Sequence, residues 1–347
     1  MTSAGQPGGL GQRIAAALSD VTVHKVREAA FRNAEANQAR IDGAATVLDL
    51  RDVPLGDGDT ALVIAAGPSL HRQPVAETIK ASGYRGTIVA TESALGYCLR
   101  HDITPHLIVT VDPHATRIVR WLGDPQLTRE RLEADSYFRR QDLEPRLERE
   151  VEANAELLRL IDARGHQVRA AVCSSASPAV VDRIHDVGMT PYWWNPFFDD
   201  FDLPDSLTRK IHAMNGLPCL NAGGNVGSAA WVIAAAVLEK QRIAVVGMDF
   251  GYYADTPYEK TQYFEEILAL VGADRLDEVY VRLTNPHLGQ EFYTDPAYLW
   301  YRDSFLEMAA QADCRTFNCT GGGILFGPSV EHLSLADFLA ASAGPAA

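Results

Sequence analysis

The stretch Ala61-Leu-Val-Ile-Ala-Ala-Gly-Pro-Ser-Leu70 sets the architecture of this 347-residue chain, and a helical pattern over residues 75–80 follows it. A short apolar run that ends in glycine predicts a buried strand. Proline suits the first turn of a helix because its missing N–H costs nothing there. The stretch therefore predicts a strand, a tight turn and a helix in direct succession.

The same succession of strand and helix recurs along the chain. Four more apolar runs, separated by helical patterns, cover residues 86–91, 107–111, 168–173 and 242–246. Continuous apolar strands between helices predict an α/β, Rossmann-like fold with a mainly parallel sheet and helices on both faces. Ligands of such sheets bind at the carboxyl ends of the strands. The residues at or just beyond those ends are Gly67, Thr91, Asp112, Ser174 and Asp249.

The sequence pattern divides the chain into three regions. Residues 1–58 are expected to form an N-terminal tail and helix, with the helical pattern over residues 13–41. Residues 59–339 form the Rossmann-like domain with a charged helical insertion at about 113–165, and residues 340–347 form a frayed tail. The charges of the insertion are most simply a solvated helix face, with a lid or a partner surface as the alternative.

The composition is that of an acidic globular protein. The chain has 31 Lys and Arg residues against 45 Asp and Glu, a formal net charge of −14, which disfavours binding to nucleic acid. No apolar run reaches the length of a membrane span, and residues 1–11 look disordered and lack a signal-peptide core. The five cysteines show no zinc-binding spacing. We therefore expect a reduced, cytoplasmic protein.

Two glycine-containing turns are candidate phosphate sites. Gly67, Pro68 and Ser69 place a hydroxyl and backbone N–H groups at a helix start, where the helix dipole favours an anion. Residues 221–228, Asn-Ala-Gly-Gly-Asn-Val-Gly-Ser, precede an Ala-rich helix, and the next strand runs into Gly247-Met-Asp-Phe250. The alternative for both turns is close packing of a helix on a strand through small residues.

Two later motifs contain hydroxyls and glycines. Tyr252, Tyr253 and Tyr258 follow the strand at residues 242–246, and tyrosine hydroxyls can donate to a leaving phosphate. Surface tyrosines without such a role are equally ordinary. Residues 317–323, Phe-Asn-Cys-Thr-Gly-Gly-Gly, bring a short strand to a triple glycine, so that the backbone there closely approaches a ligand or another element.

Taken together, the motifs resemble the 6-hydroxymethylpterin diphosphokinase MptE-like family, which includes the motility-accessory-factor (Maf) flagellin glycosyltransferases. The motifs that carry the resemblance are GPSL at residues 67–70, Asp112-Pro113 after a strand, GGNVGS at residues 223–228 and GMDF at residues 247–250. Residues 318–323, which follow Tyr301-Arg302 and its helix, are similar to the closing motif of the Maf branch. The resemblance covers roughly residues 59–339 and implies a transferase.

A more distant likeness to the single-domain bacterial sialyltransferases implies roles for individual residues. Those enzymes share GPSL, a Ser-Gly helix start and a strand that ends in Gly-x-Asp-Phe-Tyr. The likeness implies a nucleotide between the two glycine turns and a leaving phosphate stabilised without a metal by Tyr252, Tyr253 or Tyr258. The nucleotide-binding residues implied in this way are Gly67, Pro68, Ser69, Thr91, Glu92, Gly223, Gly224, Asn225, Gly227, Ser228 and Asp249.

The sequence departs from the family pattern where a general base is expected. Family members often carry a Thr-His pair shortly after the GMD segment, but residues 255–263 contain no histidine here. His287 is the next histidine. Histidine is the residue type whose ordinary pKa suits a general base near neutral pH. The alternatives are a structural or surface His287, with Glu92 or Asp112 as the base.

The leading hypothesis is a nucleotide-dependent transferase, most concretely a glycosyltransferase with a CMP-nonulosonate-type donor. Helix dipoles and tyrosines would stabilise the phosphate charge, so this hypothesis requires no cofactor. The acceptor, which is a small molecule, a glycan or a protein, would approach near Trp193, Trp194 and Phe197.

Two alternatives remain open. One is an ATP-dependent 6-hydroxymethyl-7,8-dihydropterin diphosphokinase, for which Mg²⁺ would be held by Asp112 and Asp249. The other is a non-catalytic nucleotide-binding or interaction protein, which the absent Thr-His pair and the charged insertion favour. No sequence feature specifies an oligomeric state.

Overall fold

The computed structural model describes residues 27–134 and 147–342, so the disorder expected for residues 1–11 concerns residues outside these ranges. Strands of the described residues form a large sheet and a small one. In chain order they are β1 (Thr60–Ile64), β2 (Thr87–Thr91), β3 (Leu107–Thr110), β4 (Arg169–Cys173), β5 (Thr190–Pro196), β6 (Cys219–Leu220), β7 (Arg242–Val246), β8 (Tyr252–Tyr253), β9 (Val281–Asn285), β10 (Gln290–Thr294), β11 (Arg315–Asn318) and β12 (Glu331–His332).

The large sheet has the order β12-β11-β7-β1-β2-β3-β4-β5-β6, and each neighbouring pair in it is parallel. All five strands expected from apolar runs are present. Strand β1 is fully buried and lies in the interior of the sheet, with Ile64 opposite Ala90 of β2 and Val246 of β7. The predicted Rossmann-like α/β fold with a mainly parallel sheet is confirmed.

The chain changes direction within this sheet between β1 and β7. From β1 it proceeds strand by strand to β6, and it then returns to the other side of β1 to form β7, β11 and β12. Right-handed crossovers on the two sides of such a point place their helices on opposite faces of the sheet. Loops diverge at the carboxyl ends of β1 and β7, which opens a crevice there. Residues 65–69 and 247–249 follow these two ends.

The helices connect the strands or cover the sheet. They are α1 (27–41), α2 (Val75–Ser82), α3 (Glu92–Arg100), α4 (Ala115–Trp121), α5 (Arg129–Ala134), α6 (Leu147–Arg164), α7 (Pro178–Asp186), α8 (Leu207–Asn215), α9 (Val226–Val232), α10 (Phe264–Val271), α11 (Pro296–Gln311) and α12 (Leu335–Ser342). Helix α9 continues as a π-helical segment, Ile233–Val237. Residues 340–342, expected to be frayed, complete α12. No helix of the described ranges combines the length and apolarity needed to cross a membrane.

The described part of the charged insertion is helical. Helix α6 has the polar exposed face that its Arg and Glu residues indicate, but Leu157 and Ile161 on the same helix are buried in the main core. A Cβ placed on Gly96 of α3 would lie 3.2 Å from a methyl carbon of Leu157, so α3 and α6 are in close contact. Residues 135–146 lie outside the described ranges.

The aromatic segment around residue 193 forms a strand, contrary to the expected acceptor surface. Trp193 and Trp194 lie in β5, where their side chains are 1% and 0% exposed. They fill the core, because a parallel strand covered on both faces buries consecutive side chains. Of the three aromatic residues expected to face an acceptor, Phe197 alone is exposed.

The small antiparallel sheet, in the order β8-β10-β9, was missed by the sequence analysis. Strand β9 alternates in exposure, whereas the last three residues of β10, which include Phe292 and Tyr293, are all buried. Tyrosine rings pack around it, with Tyr258 stacked on Tyr280 at a centroid distance of 4.1 Å. This arrangement assigns Tyr258 to a second, local core rather than to a loop surface.

Helix α1 fixes the loops that follow β3 and β4. The Asn33 side-chain amide donates to the carbonyls of Pro113 and Ser175, both at 2.9 Å. The Asn37 amide, which is fully buried, donates to the carbonyls of Ser174 at 2.9 Å and Ala176 at 2.7 Å. These bonds satisfy loop carbonyls that the sheet itself leaves without a donor.

We predict that Asn37→Ala lowers the free energy of unfolding by about 2 kcal/mol, because two buried carbonyls lose their donor. Chemical denaturation measures the change. Glu35→Ala, an exposed position on the same helix, is the control and is expected to stay within about 0.5 kcal/mol of the parent. Equal stability of the two variants would contradict the anchoring role of Asn37.

Candidate active site

The Gly67–Ser69 turn and Asp249 meet at the carboxyl ends of β1 and β7. The Ser69 backbone N–H donates to Asp249 Oδ1 at 3.2 Å, and the Ser69 hydroxyl donates to Asp249 Oδ2 at 2.8 Å. A Cβ on Gly67 would collide with Asp249 Oδ2 and with the Gly247 carbonyl, so this close approach requires glycine. Asp249 and Ser69 are 2% and 0% exposed, which makes this contact part of the protein interior.

The donors of this turn are therefore committed within the protein. The Gly67 N–H donates to the Gly247 carbonyl at 2.8 Å, and the Leu70 N–H donates to the Gly67 carbonyl at 3.0 Å. Pro68 has no N–H, and Ser69 donates to Asp249. In this arrangement the Asp249 carboxylate occupies the place that the sequence analysis gave to a nucleotide phosphate. A phosphate at Ser69 would have to displace a buried carboxylate, so the direct role expected for this turn is not supported by its geometry.

Burial raises the pKa of Asp249 to about 7, and the two hydrogen bonds from Ser69 oppose the rise. Burial disfavours the charged form of a carboxyl group, whereas donors stabilise it. Arg72, whose positive charge also opposes the rise, lies 46% exposed in an ion pair with Asp255. The Arg72 guanidinium, which could balance the negative charge of Asp249, thus faces mainly solvent and the Asp255 carboxylate.

Tyr253 is the tyrosine that lies beside this pair. A Cβ on Gly322 would be 2.6 Å from the Tyr253 hydroxyl and 3.0 Å from Asp249 Oδ1, which places Gly322 between the two groups. The hydroxyl is buried, and among the described residues no hydrogen bond of normal geometry reaches it. Burial raises the pKa of Tyr253, the Asp249 charge adds to the rise, and the nearby Gln73 amide opposes it. Arg72 packs over the Tyr253 ring at 3.9 Å.

The other two tyrosines proposed for catalysis point elsewhere. The Tyr252 hydroxyl donates to Asp295 Oδ2 at 3.2 Å and accepts from the Gln262 N–H at 3.1 Å. The Tyr258 hydroxyl donates to Asp277 Oδ1 at 2.8 Å. Successive residues of a strand face opposite sides, so Tyr252 and Tyr253 cannot both face Asp249. The expectation for Tyr252 and Tyr258 is therefore corrected to a structural role in the small sheet.

The second glycine turn presents backbone donors at the start of α9. The Asn225 side chain caps the helix by accepting from the Ser228 N–H at 2.9 Å, and its amide donates to the Ser228 hydroxyl at 2.8 Å. The first N–H groups of a helix have no acceptor within the helix. The cap takes only that of Ser228, which leaves the N–H groups of Val226 and Gly227 at the positive end of the helix dipole. Gly224 is exposed, Asn225 and Val226 are half-buried, and Gly227 is buried.

This second turn lies at the same edge of the sheet as the first. A Cβ on Gly227 would be 3.5 Å from both the Ala65 Cβ and the Met248 Cγ, which belong to the segments after β1 and β7. The two glycine turns therefore meet at the point where the strand order reverses. Gly223 and Ser228 are buried and act in packing, since a Cβ on Gly223 would press on Ser228 and on Met308 of α11.

The remaining predicted binding residues lie farther along the same edge. Thr91 caps α3 by accepting from the Ala94 N–H, and Glu92 is 3% exposed. The half-buried Asp112 accepts from the His114 N–H at 2.8 Å. Three strand spacings separate β3 from β7, about 14 Å. Asp112 and Asp249 therefore do not lie where one Mg²⁺ ion could bind both, and no group of three potential metal ligands occurs among the described residues.

His287 does not reach the crevice in this structure. Its backbone N–H donates to Asn285 Oδ1 at 3.0 Å, in the turn between β9 and β10. Its exposed ring stacks on that of His332 in the edge strand β12, at a centroid distance of 4.5 Å. Burial lowers the pKa of His332, and the His287 charge lowers it further. The general-base role expected for His287 is therefore corrected to a surface histidine pair.

Three residues of this region were not identified from the sequence as part of the site. Arg72 follows the GPSL motif by two positions, Gly322 belongs to the triple glycine, and Trp300 directly precedes the Tyr301-Arg302 pair. Their positions in or next to the motifs were the only indication in the sequence that these three residues belong to the site. The contacts of Arg72 with Tyr253 and of Trp300 with Gly224 depend on segments far apart in the chain, which spacing does not reveal.

The comparisons with known proteins agree with this fold and these motifs. Residues 32–122 match the model of the family described as 6-hydroxymethylpterin diphosphokinase MptE-like. A solved structure of the Maf glycosyltransferase from Magnetospirillum magneticum AMB-1 is similar, with a TM-score of 0.53 and 15% sequence identity. No curated protein sequence matches the chain.

The matches cover different shares of the two proteins. The solved structure covers 91% of this chain, whereas this chain spans 41% of that protein. The resemblance to the MptE-like family is confirmed over residues 32–122, and the resemblance to the Maf glycosyltransferase is confirmed in the fold.

The raised pKa of Asp249 predicts a pH-dependent stability. Because the folded-state pKa of about 7 exceeds the ordinary value of 3.8, the folded state binds more protons in this range, and stability falls as the pH rises from about 4 to 7. Asp295, whose pKa burial raises to about 6, contributes in the same direction. We predict that Asp249→Asn flattens the upper part of the profile and Asp295→Asn the lower part.

Thermal unfolding from pH 5 to pH 8 measures this effect. The exposed Asp313→Asn variant should keep the pH profile of the parent and serves as the control. An unchanged slope in Asp249→Asn would mean that Asp249 is already charged at pH 5 and that its neighbours stabilise the charge.

Proposed function

We propose that this chain is a nucleotide-dependent transferase that transfers a sugar from a nucleotide-activated donor. The observation that carries the proposal is the start of α9, where Val226 and Gly227 present N–H groups at the topological switch point between β1 and β7. Such a position combines backbone donors, a helix dipole and the crevice in which open α/β sheets bind ligands. The family match and the fold of the Maf glycosyltransferase support a transferase.

We assign different roles to the two glycine turns. The phosphate of the donor binds to the N–H groups of Val226 and Gly227 and lies near the exposed Pro68. Asp249 and Ser69 act beneath it, because their hydrogen bonds hold the Gly67 turn against β7. A charge-stabilising arrangement of this kind lowers the barrier only if it is rigid before the substrate binds. The buried Asp249–Ser69 contact supplies that rigidity.

Nucleotide donor use is tested by thermal shift with CMP, CDP, UDP, GDP and ATP, each with and without Mg²⁺. Saturating ligand that binds only the folded state stabilises it by roughly 2–4 kcal/mol. A response to CMP without Mg²⁺ supports the glycosyltransferase with a CMP-sugar donor. A response to ATP that requires Mg²⁺ supports the diphosphokinase instead, and no response to any of them supports an interaction protein.

We predict that Val226→Pro weakens nucleotide binding about tenfold or more, because one hydrogen bond to a charged phosphate is lost. Proline is tolerated at the first position of a helix, as Pro178 and Pro296 already show in α7 and α11. The preceding Asn225 has the extended conformation that a following proline favours. The fold should therefore be retained.

Isothermal titration calorimetry with the responding nucleotide measures this loss. The matched control is Val226→Ala, which removes most of the side chain but keeps the N–H, and it should bind as the parent does. Equal affinities of the proline and alanine variants would place the phosphate elsewhere.

Tyr253→Phe provides a separate test of leaving-group stabilisation. Tyr253 is the one of the three candidate tyrosines that adjoins Asp249, and loss of one donor to a developing phosphate charge costs about a hundredfold in turnover. Its hydroxyl is buried under Gly322, so this role requires the Gly321–Gly323 turn to yield when substrate binds. We predict a large loss of turnover with nearly unchanged nucleotide affinity and stability.

Tyr252→Phe is the matched control. It should lower the free energy of unfolding by about 1–3 kcal/mol, because its hydroxyl bonds to Asp295 and Gln262, while turnover of the folded enzyme stays near that of the parent. Full turnover of Tyr253→Phe would assign that tyrosine to packing.

A further inference from the structure

Trp300 is an apolar side chain that the fold leaves in solvent. At 56% it is more exposed than any other large hydrophobic residue of the described ranges. It lies on α11, and the next exposed residues on the same face of that helix are Asp303 and Glu307. An indole among carboxylates is not part of an extended apolar surface, so a second protein subunit is a poor match for this face.

The position of Trp300 is set by packing of α11 on α9. The Trp231 ring of α9 contacts the Phe305 ring of α11 at a centroid distance of 5.1 Å, with both rings buried. One turn before Phe305, the rings of Trp300 and Tyr301 reach the glycine turn. A Cβ on Gly224 would be 2.6 Å from Trp300 Cζ3 and 2.6 Å from Tyr301 Cε1. Gly224 also has a φ of +78°, so both its backbone and its contacts exclude a larger residue.

Tyr301 is held in place on the inner side of this contact. Its hydroxyl is hydrogen bonded to that of Tyr263 at 2.9 Å, and its ring contacts that of Trp300 at a centroid distance of 5.4 Å. Trp300 thus rests on a fixed ring on one side, while more than half of its surface remains free. An exposed indole beside a polar turn is suited to stacking with a planar ring.

We propose that Trp300 is the stacking platform for the nucleobase of the donor. This inference rests on the proposed phosphate site at Val226 and Gly227. Gly224 precedes Val226 by two residues, a span of at most about 7 Å. A ribose is of a length to bridge from a phosphate at Val226 to a ring that lies on Trp300. Stacking tolerates any base, because each base has a π-face, so the platform contributes affinity rather than a choice among bases.

The experiment compares ligands with and without a base. The probes are CMP, UMP, AMP, GMP and ribose 5-phosphate, titrated against the parent, Trp300→Phe and Trp300→Ala by calorimetry. For Trp300→Ala we expect a loss of roughly 10- to 100-fold in affinity for the mononucleotides that bind the parent, and little change for ribose 5-phosphate. Trp300→Phe should retain most of the affinity, because a phenyl ring still stacks.

Fluorescence gives an independent readout. Stacking should quench the emission of the exposed Trp300, so mononucleotides should quench the parent but not Trp300→Phe, even when that variant binds them. Trp121→Phe, which removes a tryptophan of α4 that lies in a different part of the fold, should retain the quenching.

Two results would overturn the platform while leaving the phosphate site intact. One is Trp300→Ala binding mononucleotides as tightly as the parent does. The other is an equal loss of mononucleotide and ribose 5-phosphate affinity, which would assign Trp300 to the shape of the Gly224 turn. If the parent binds none of the probes, the proposed nucleotide site itself fails, and the platform fails with it.

Discussion

The contact between Asp249 and Ser69 is the interaction on which the site depends. The two residues lie 180 positions apart in the chain, and their contact joins the segments that follow the adjacent strands β7 and β1. A buried carboxylate is costly unless donors surround it, and here the donors are a hydroxyl and a backbone N–H of the same residue. The glycines at positions 67 and 322 permit this because any side chain there would press on the carboxylate. The contact thereby closes one side of the crevice.

The other side of the crevice, at the start of α9, is where we propose that the ligand binds. A turn whose N–H groups are all bonded within the protein cannot also bind a phosphate, whereas a capped helix start retains the donors that its cap does not use. Helix α9 is positioned for this by small residues, because Gly227 lies against Ala65 and Met248 with no side chain between them. Two glycine-rich turns of similar appearance therefore differ in their hydrogen bonding: the first turn is bonded within the protein, and the second is the proposed phosphate site.

The sequence predicted the frame of this fold because consecutive apolar residues are the direct signature of a strand covered on both faces. Strand β5 was not predicted because Trp193, Trp194 and Pro196 are not typical of an apolar strand run. The small sheet was not predicted because β9 and β10 mix polar with apolar residues and so contain no continuous apolar run. For the site, spacing placed Gly67, Gly227 and Asp249 at strand ends and helix starts. Spacing along the chain could not show that the hydroxyl and the N–H of Ser69 both donate to Asp249, because hydrogen-bond partners are set by tertiary contacts.

The acidic character of the chain constrains how the proposed anionic donor can be recognised. A formal net charge of −14 repels a nucleotide at long range, although salt screens that repulsion beyond about 8 Å. Recognition must then come from groups that act at contact distance, and backbone N–H groups at a helix start carry no side-chain charge that a neighbouring carboxylate could neutralise. Arg72 illustrates the contrast, because Asp255 already pairs with it. Aromatic contact adds affinity without any charge, so the proposed site of N–H groups and an indole is compatible with the acidic character of this chain.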